Sequence, residues 1–250
     1  MRILIFMSDN RIIEKESEKE KATYNSLVAA INYEYCKKHN YDFIYYRPYL
    51  DDKNIINVYN CIDFNTNTRR HAAWSKILST TMALDLNYDY VVYIDSDCIF
   101  KDFNHKLEYL INKFIDKPII FFNNKPWGDH VPCSGFYILK VSAYTKQFCH
   151  EWYNINIPSY NKKHAWDQDG LWDIFRNYNM VIVDTMMFRE TQQQLLRHVG
   201  SCDETNTIPR FREKYFMEFI NTHYIDYDEN IKHINCIEFN TNKNSVVVIE

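Results

Sequence analysis

Tyr90-Val91-Val92-Tyr93-Ile94-Asp95-Ser96-Asp97-Cys98 is the stretch that decides the fold. Its first five residues are all apolar or aromatic, a run too short for a helix and typical of a strand buried on both faces of a parallel sheet. Two carboxylates follow at once. In open α/β sheets ligands bind beyond the carboxyl ends of the strands. Carboxylates held there without an adjacent Lys or Arg repel each other, and a divalent cation relieves that repulsion. Such a cation also lets a pyrophosphate sit beside two anions. The plainer reading is a polar strand end with Ser96 or Asp97 as a helix N-cap, since a bare D-x-D arises often by chance.

Upstream, strands and helices alternate. Ile3–Met7 reads as a buried strand, residues 22–39 as a helix and Phe43–Tyr46 as a strand stopped by Pro48. Residues 50–68 are polar and Asn-rich, as in a surface loop, and His71–Leu86 reads as a helix with Trp74, Ile77, Leu78 and Thr81 on one face. This β-α-β-α-β order predicts a parallel, doubly wound half. Downstream, Ile119–Phe122, Phe136–Leu139 and Met180–Asp184 read as strands, and Ala143–Tyr153 and Asp167–Tyr178 as helices. Past Gly200 the pattern weakens to one helix near Glu213–Ile220 and an extended tail. No repeat or linker interrupts the chain, so one domain spans 1–250: a nucleotide-binding half over 1–100, a second half over 101–205 and a C-terminal extension over 206–250.

Composition narrows the function. A net charge of −4 with no basic stripe argues against nucleic-acid binding. Seven cysteines, an odd number without any C-x-x-C, suggest reduced thiols rather than a disulfide framework or zinc knuckle. Neither a signal segment nor an apolar run of membrane-spanning length occurs, which predicts a soluble, cytoplasmic protein. The abundant aromatics (20 Tyr, 16 Phe, 5 Trp) accompany abundant Asn, Lys and Ile, a coding bias that accounts for most of them. Oligomeric state leaves no signal.

Three further segments carry chemistry. Trp166-Asp167-Gln168-Asp169-Gly170-Leu171-Trp172 is either an acid-rich helix start favoured by the helix dipole or part of a site. Leu196-Arg197-His198-Val199-Gly200 contains a His that is either structural or the nitrogen ligand of a metal already held by two carboxylates. Ser134-Gly135-Phe136 is either a simple turn or a small-residue approach to a ligand.

Taken in order, five pieces resemble the retaining GT-A glycosyltransferases, both the galactosyl-, xylosyl- and mannosyltransferases of yeast mannan and plant xyloglucan synthesis and the glycogenin-like galactosyltransferases. The pieces are Trp74-Ser-Lys76-Ile, Asp95-Ser-Asp97, Ser134-Gly-Phe136, Asp167-Gln-Asp169 and His198-Val-Gly200, and the likeness covers about residues 1–205. It implies a GT-A fold, a Rossmann-like α/β domain whose mixed, mainly parallel central sheet is flanked by helices. It also implies Mn²⁺ (or Mg²⁺) held by Asp95, Asp97 and His198 on the diphosphate of a nucleotide sugar, with a UDP-sugar as donor and a carbohydrate or glycosylated acceptor. Ser8 and nearby residues after the first strand would touch the nucleotide. Ser96, Ser134, Gly135 and Gly200 would line the donor site, and Asp167 would bind sugar hydroxyls. Gln168 would lie by the anomeric carbon; it and Asp167 are the catalytic candidates. Lys76 would contact the donor sugar or its phosphate, against the alternative of a solvated helix cation.

Two departures stand out. Cys133 occupies a position where the family often has Asn. Cys202 and Asp203 follow His198-Val-Gly200 where a basic residue often reaches the diphosphate, leaving Arg197, Arg210 or Arg212 to supply that charge. Because an amide is a poor nucleophile, Gln168 points to front-side attack by the acceptor hydroxyl. The rival functions are a sugar nucleotidylyltransferase, against which the absence of a Gly-rich loop after the first strand counts, and a catalytically silent carbohydrate- or nucleotide-sugar-binding protein.

Overall fold

The computed structural model describes residues 1–15, 19–125, 128–184, 194–199 and 208–242. In chain order these form β1 (Ile3–Ser8), α1 (Tyr24–His39), β2 (Asp42–Tyr49), β3 (Cys61–Ile62), β4 (Arg69–Arg70), α2 (Ser75–Leu84), β5 (Tyr90–Ile94) and β6 (Cys98–Phe100). Then follow α3 (Leu107–Lys113), β7 (Ile119–Asn124), β8 (Gly128–Lys140), α4 (Ala143–Tyr153), α5 (Asp167–Ile174), β9 (Met180–Val183) and β10 (Leu196–His198). The chain closes on α6 (Ile208–Thr222), α7 (Tyr227–His233) and β11 (Asn235–Asn240).

Among the described residues the main sheet has seven strands in the order β11-β2-β1-β5-β8-β7-β9, with only β8 antiparallel to its neighbours. This is the mixed, mainly parallel sheet expected of the α/β class. Alternation along each strand divides two apolar layers. Ile3, Ile5, Met7, Val92 and Ile94 pack with α1, α6 and α7, while Leu4, Phe6, Val91 and Tyr93 pack with α2, α4 and α5. The aromatic residues are used here: Phe6, Tyr93, Tyr137 and Trp152 touch in sequence across the second layer, at centroid spacings of 5.4, 5.0 and 5.7 Å. No helix among the described residues is long and apolar enough to cross a membrane. The cysteines there are free thiols, all buried but Cys236.

Several expectations need correction. Pro48 does not stop β2, which runs on to Tyr49 and pairs with β11. The Tyr46 carbonyl faces β1, accepting from Asp9 N–H, and the Tyr49 carbonyl faces β11, accepting from Thr241 N–H. Pro48 shares the parity of Tyr46, so its missing N–H faces the side where β1 has already ended. Its carbonyl is taken by Asn60 Nδ2 at 3.1 Å. The helix expected over 71–86 begins as a 3₁₀ turn at Ala72–Trp74, and the one expected over 167–178 ends in a 3₁₀ turn at Phe175–Asn177. The tail after α6 is not merely extended: α7 leads into β11, which adds a parallel edge strand beside β2.

The 50–68 loop is also more than surface. It carries β3, and Asp63 pairs with Arg70 of β4 at 3.2 Å with both side chains fully buried. Arg70 also bonds Asn161 Oδ1 at 2.7 Å and lies over Trp74, tying this hairpin to the segment before α5. Asp63→Ala strands a buried guanidinium and should destabilise the protein by about 3–5 kcal/mol. Chemical denaturation checks this, and a loss under about 1 kcal/mol would mean that water reaches Arg70.

Candidate active site

The carboxyl ends of β1 and β5 leave the sheet side by side, because Ile3↔Tyr90 through Phe6↔Tyr93 pair in parallel. Ser8–Arg11 and Asp95–Asp97 therefore open on one edge. There they line a cavity of about 1170 Å³ together with Lys76, Cys133, Ser134, Gly135, Asp167, Gln168, His198 and Arg212. Of the site residues expected from sequence, only Gly200 lies outside the described residues, as do Cys202 and Asp203.

Three local devices assemble the centre. After β5 the chain turns at once, with Cys98 N–H bonding the Asp95 carbonyl at 3.0 Å. β6 then pairs antiparallel with β10, setting His198 opposite Cys98, and Val199 N–H bonds the Asp97 carbonyl at 2.8 Å. His198, about a hundred residues downstream, thus meets Asp97, with Nε2 to Oδ1 at 2.8 Å and to Asp95 Oδ2 at 3.9 Å. The third device is in β8. Its register against β7 jumps from Phe121↔Tyr137 to Phe122↔Cys133, a bulge that frees residues 134–136 from β7. Gly135 turns to β5 instead, where its carbonyl accepts from Asp95 N–H at 2.9 Å.

One ligand atom from each of Asp95, Asp97 and His198 lies within 4.8 Å of the others. Two carboxylates and one imidazole make a mixed O/N donor set suited to a divalent cation such as Mn²⁺ or Mg²⁺. Gly135 is needed for this approach: a Cβ there would stand 2.7 Å from His198 Cε1 and 3.1 Å from Asp95 Oδ2. Gly135→Ala should therefore weaken Mn²⁺ binding by about ten- to a hundred-fold, as displaced supports of metal ligands do. Titration with Mn²⁺ checks this, and unchanged affinity would show that the pocket yields to a methyl group.

The acidic pair is not without cations, contrary to the sequence reading. Arg212, from α6, bonds Asp97 Oδ2 at 2.6 Å and the Val199 carbonyl at 2.7 Å. Lys76 is 7% exposed, so it is no solvated helix cation; it reaches Asp95 Oδ1 at 3.0 Å and Asp167 Oδ2 at 3.3 Å. Burial works against the charge on Lys76, but Asp167 and Asp95 outweigh it and raise its pKa. For Asp167 burial wins over Lys76 and lifts the carboxyl above its usual range. Burial also opposes charge on Asp97 and His198, yet each holds the other ionised, so Asp97 lies well below and His198 well above its ordinary value. A cation bound here would release the proton of His198. Of the three arginines weighed from sequence, Arg212 meets the acidic pair, Arg197 donates to the His198 carbonyl at 3.4 Å, and the side chain of Arg210 is outside the description.

α5 begins at the cavity. Trp166 turns the chain with φ 50°, ψ −112°, a left-handed geometry rare for a bulky residue. Asp167 follows, its carbonyl held by Trp152 Nε1 at 2.7 Å. Gln168 Oε1 accepts from Ser134 N–H at 3.0 Å, so the two segments brace each other. Ser8 Oγ is bonded to Ser79 Oγ at 2.8 Å. Ser96 Oγ bonds Asp9, and Asp9 in turn is paired with Arg11. The Arg11 guanidinium lies 4.1 Å from the Tyr24 ring centroid, and Arg212 lies 5.0 Å from it. Sequence reasoning missed Tyr24 and His71 as cavity residues, covered Asp9 and Arg11 only as neighbours of Ser8, and met Trp166 only as the first residue of the acid-rich segment. Only the position of Asp9 and Arg11 just after β1 offered a signal.

No family model matches the chain, and no curated protein does. Solved structures do. The chain is similar over 88% of its length to a glycosyltransferase involved in the glycosylation of the major capsid of PBCV-1, with TM-score 0.63 and 14% identity, and it covers 100% of that chain. It is similar over 92% of its length to the apo-form glycosyltransferase GlyE of Streptococcus pneumoniae TIGR4, with TM-score 0.54 and 13% identity, and it spans 62% of that longer chain. At such identities the likeness establishes the fold, which is the GT-A type of α/β architecture.

Proposed function

We propose that the chain is a metal-dependent glycosyltransferase of one catalytic domain, moving a hexose or pentose from a nucleotide diphosphate sugar, a UDP-sugar first among them, onto an acceptor hydroxyl with retention. The observation that carries this reading is the convergence of Asp95, Asp97 and His198 at the strand ends of a GT-A fold. Those three residues would hold Mn²⁺ or Mg²⁺, which would supply Lewis-acid stabilisation of charge on the leaving diphosphate.

The chain's own residues account for the rest. Ser8 at the end of β1, with Arg11 and Ser96 just beyond β1 and β5, would lie on the nucleotide side. Ser134 and Gly135 line the donor between nucleotide and sugar. Lys76 and Asp167 form a buried pair that can exchange hydrogen bonds with sugar hydroxyls, and Arg212 is the basic residue for the diphosphate. As the bond from anomeric carbon to phosphate oxygen breaks, its electron pair leaves with the diphosphate. The acceptor oxygen bonds the same carbon from the same face, and its proton passes to the departing diphosphate. Gln168, whose oxygen accepts from Ser134 N–H, would stabilise the positive charge growing at that carbon through that oxygen's remaining lone pair. Calorimetry of UDP binding with and without Mn²⁺ tests the assignment: binding should depend on the ion, and equal affinity in EDTA would refute it.

A further inference from the structure

Both carboxylate oxygens of Asp97 are engaged. Oδ1 faces His198 Nε2 at 2.8 Å, and Oδ2 accepts from Arg212 Nη2 at 2.6 Å. Asp95 is held in the same way by Lys76, at 3.0 Å. The Lys76 and Arg212 side chains are only 7% and 12% exposed. Each candidate ligand carboxylate therefore already has a buried cation of its own. A divalent cation arriving alone would add its charge to a balanced cluster where water screens little. A diphosphate arriving alone would unbalance the cluster the other way. The two together restore the balance.

Arg212 stands where both would be felt. α6 packs against α1 and brings it to the charged end of the cavity. Its Nε donates to the Val199 carbonyl at 2.7 Å and its Nη1 to the Tyr24 hydroxyl at 3.1 Å. The Tyr24 ring also carries Arg11, 4.1 Å from its centroid, and Arg11 holds Asp9 and Ser96. Arg212 thus joins the metal-ligand cluster to the network on the nucleotide side. A guanidinium has five N–H donors in a fork that matches phosphate oxygens, so it can turn some of them to a diphosphate while others keep its seat. Lys76 is placed differently, beside Asp167 and Ser134.

We propose that Arg212 makes the binding of cation and diphosphate interdependent: by neutralising Asp97 it holds down the affinity for a lone divalent cation, and it turns hydrogen bonds to the diphosphate when the two arrive together. This rests on the glycosyl-transfer reading above and adds a control on how that site fills. Linkage makes the effect reciprocal, so each ligand strengthens the other through the same residue.

Two measurements test it on wild type, Arg212→Met and Arg212→Gln, the glutamine keeping an amide donor for the Val199 carbonyl. They are Mn²⁺ titration followed by the EPR signal of the free ion, and calorimetry of UDP at saturating Mn²⁺, with folding checked by circular dichroism. Without UDP, the variants should bind Mn²⁺ about tenfold or more tightly than wild type, because a unit positive charge beside the ligands is gone. At saturating Mn²⁺ they should bind UDP about tenfold or more weakly, having lost a charge-assisted donor. A gain on the ion with a loss on the nucleotide separates this coupling from structural damage, which would weaken both. It also separates it from a diphosphate contact alone, which would leave Mn²⁺ binding unchanged. Mn²⁺ affinity unchanged or lower in the folded variants would overturn the proposal, as would UDP affinity equal to wild type. A wild type that binds no Mn²⁺, with or without UDP, would remove the glycosyl-transfer reading and this proposal with it.

Discussion

Asp97→Ala should lower glycosyl transfer by about a thousand-fold or more and make UDP binding independent of Mn²⁺. Asp97 ties the cluster together: it touches His198 at 2.8 Å and Arg212 at 2.6 Å, and its backbone carbonyl anchors Val199. Its removal takes away one ligand and leaves two cationic side chains facing each other, so the pyrophosphate loses its bridge to the protein. The size of the effect follows from the loss of the divalent cation that would stabilise the charge growing on the leaving diphosphate. Steady-state kinetics with saturating Mn²⁺ measures it. Transfer within tenfold of wild type would mean that Asp97 holds no metal.

Gln168→Ala should lower kcat by ten- to a thousand-fold, about 1.4–4 kcal/mol of transition-state stabilisation, and leave UDP affinity nearly unchanged. Gln168 is braced against Ser134 at the start of α5, away from the Asp9–Arg11–Ser96 network where the nucleotide is proposed to lie. UDP lacks the sugar that Gln168 would face, so only the reacting complex feels the substitution. Asp167→Ala should differ by harming KM as well as kcat, because a hydroxyl contact exists in ground and transition states alike, and it also leaves Lys76 with one carboxylate fewer. If both variants keep wild-type kinetics and lose only thermal stability, α5 is a structural helix with an acidic start and nothing more.

The parts legible in the sequence are those whose signal is local. The apolar run 90–94 became β5 with the bounds read from it, and 143–153 became α4. The D-x-D and the acid-rich 167–169 were visible because each abuts a strand end or helix start, whereas the small pair at 134–135, expected to precede a strand at Phe136, lies inside the longer β8 at its bulge. His198 was legible only as one of two alternatives, structural or ligand, which family likeness tipped to ligand, since its approach depends on β6 pairing with β10, a contact spanning about a hundred residues. β11 was illegible for a related reason: Asn-Cys-Ile-Glu-Phe-Asn has no apolar run, and its place comes from backbone pairing to β2 at the sheet edge. The role of Arg212 likewise depends on α6 packing against α1, which brings it over Tyr24. Lys76 could not be told from a solvated cation, because burial is decided by the neighbours Asp95 and Asp167 and not by its own helix.

The central claim is that Asp95, Asp97 and His198 hold a cation that makes a nucleotide diphosphate sugar reactive. Diphosphate release from a panel of nucleotide sugars, run with Mn²⁺, with EDTA, and with EDTA followed by excess Mn²⁺, tests it most directly. Release from at least one donor, silenced by the chelator and restored by the metal, is the result expected. Release that persists in EDTA, or none from any donor with Mn²⁺ present, would contradict it.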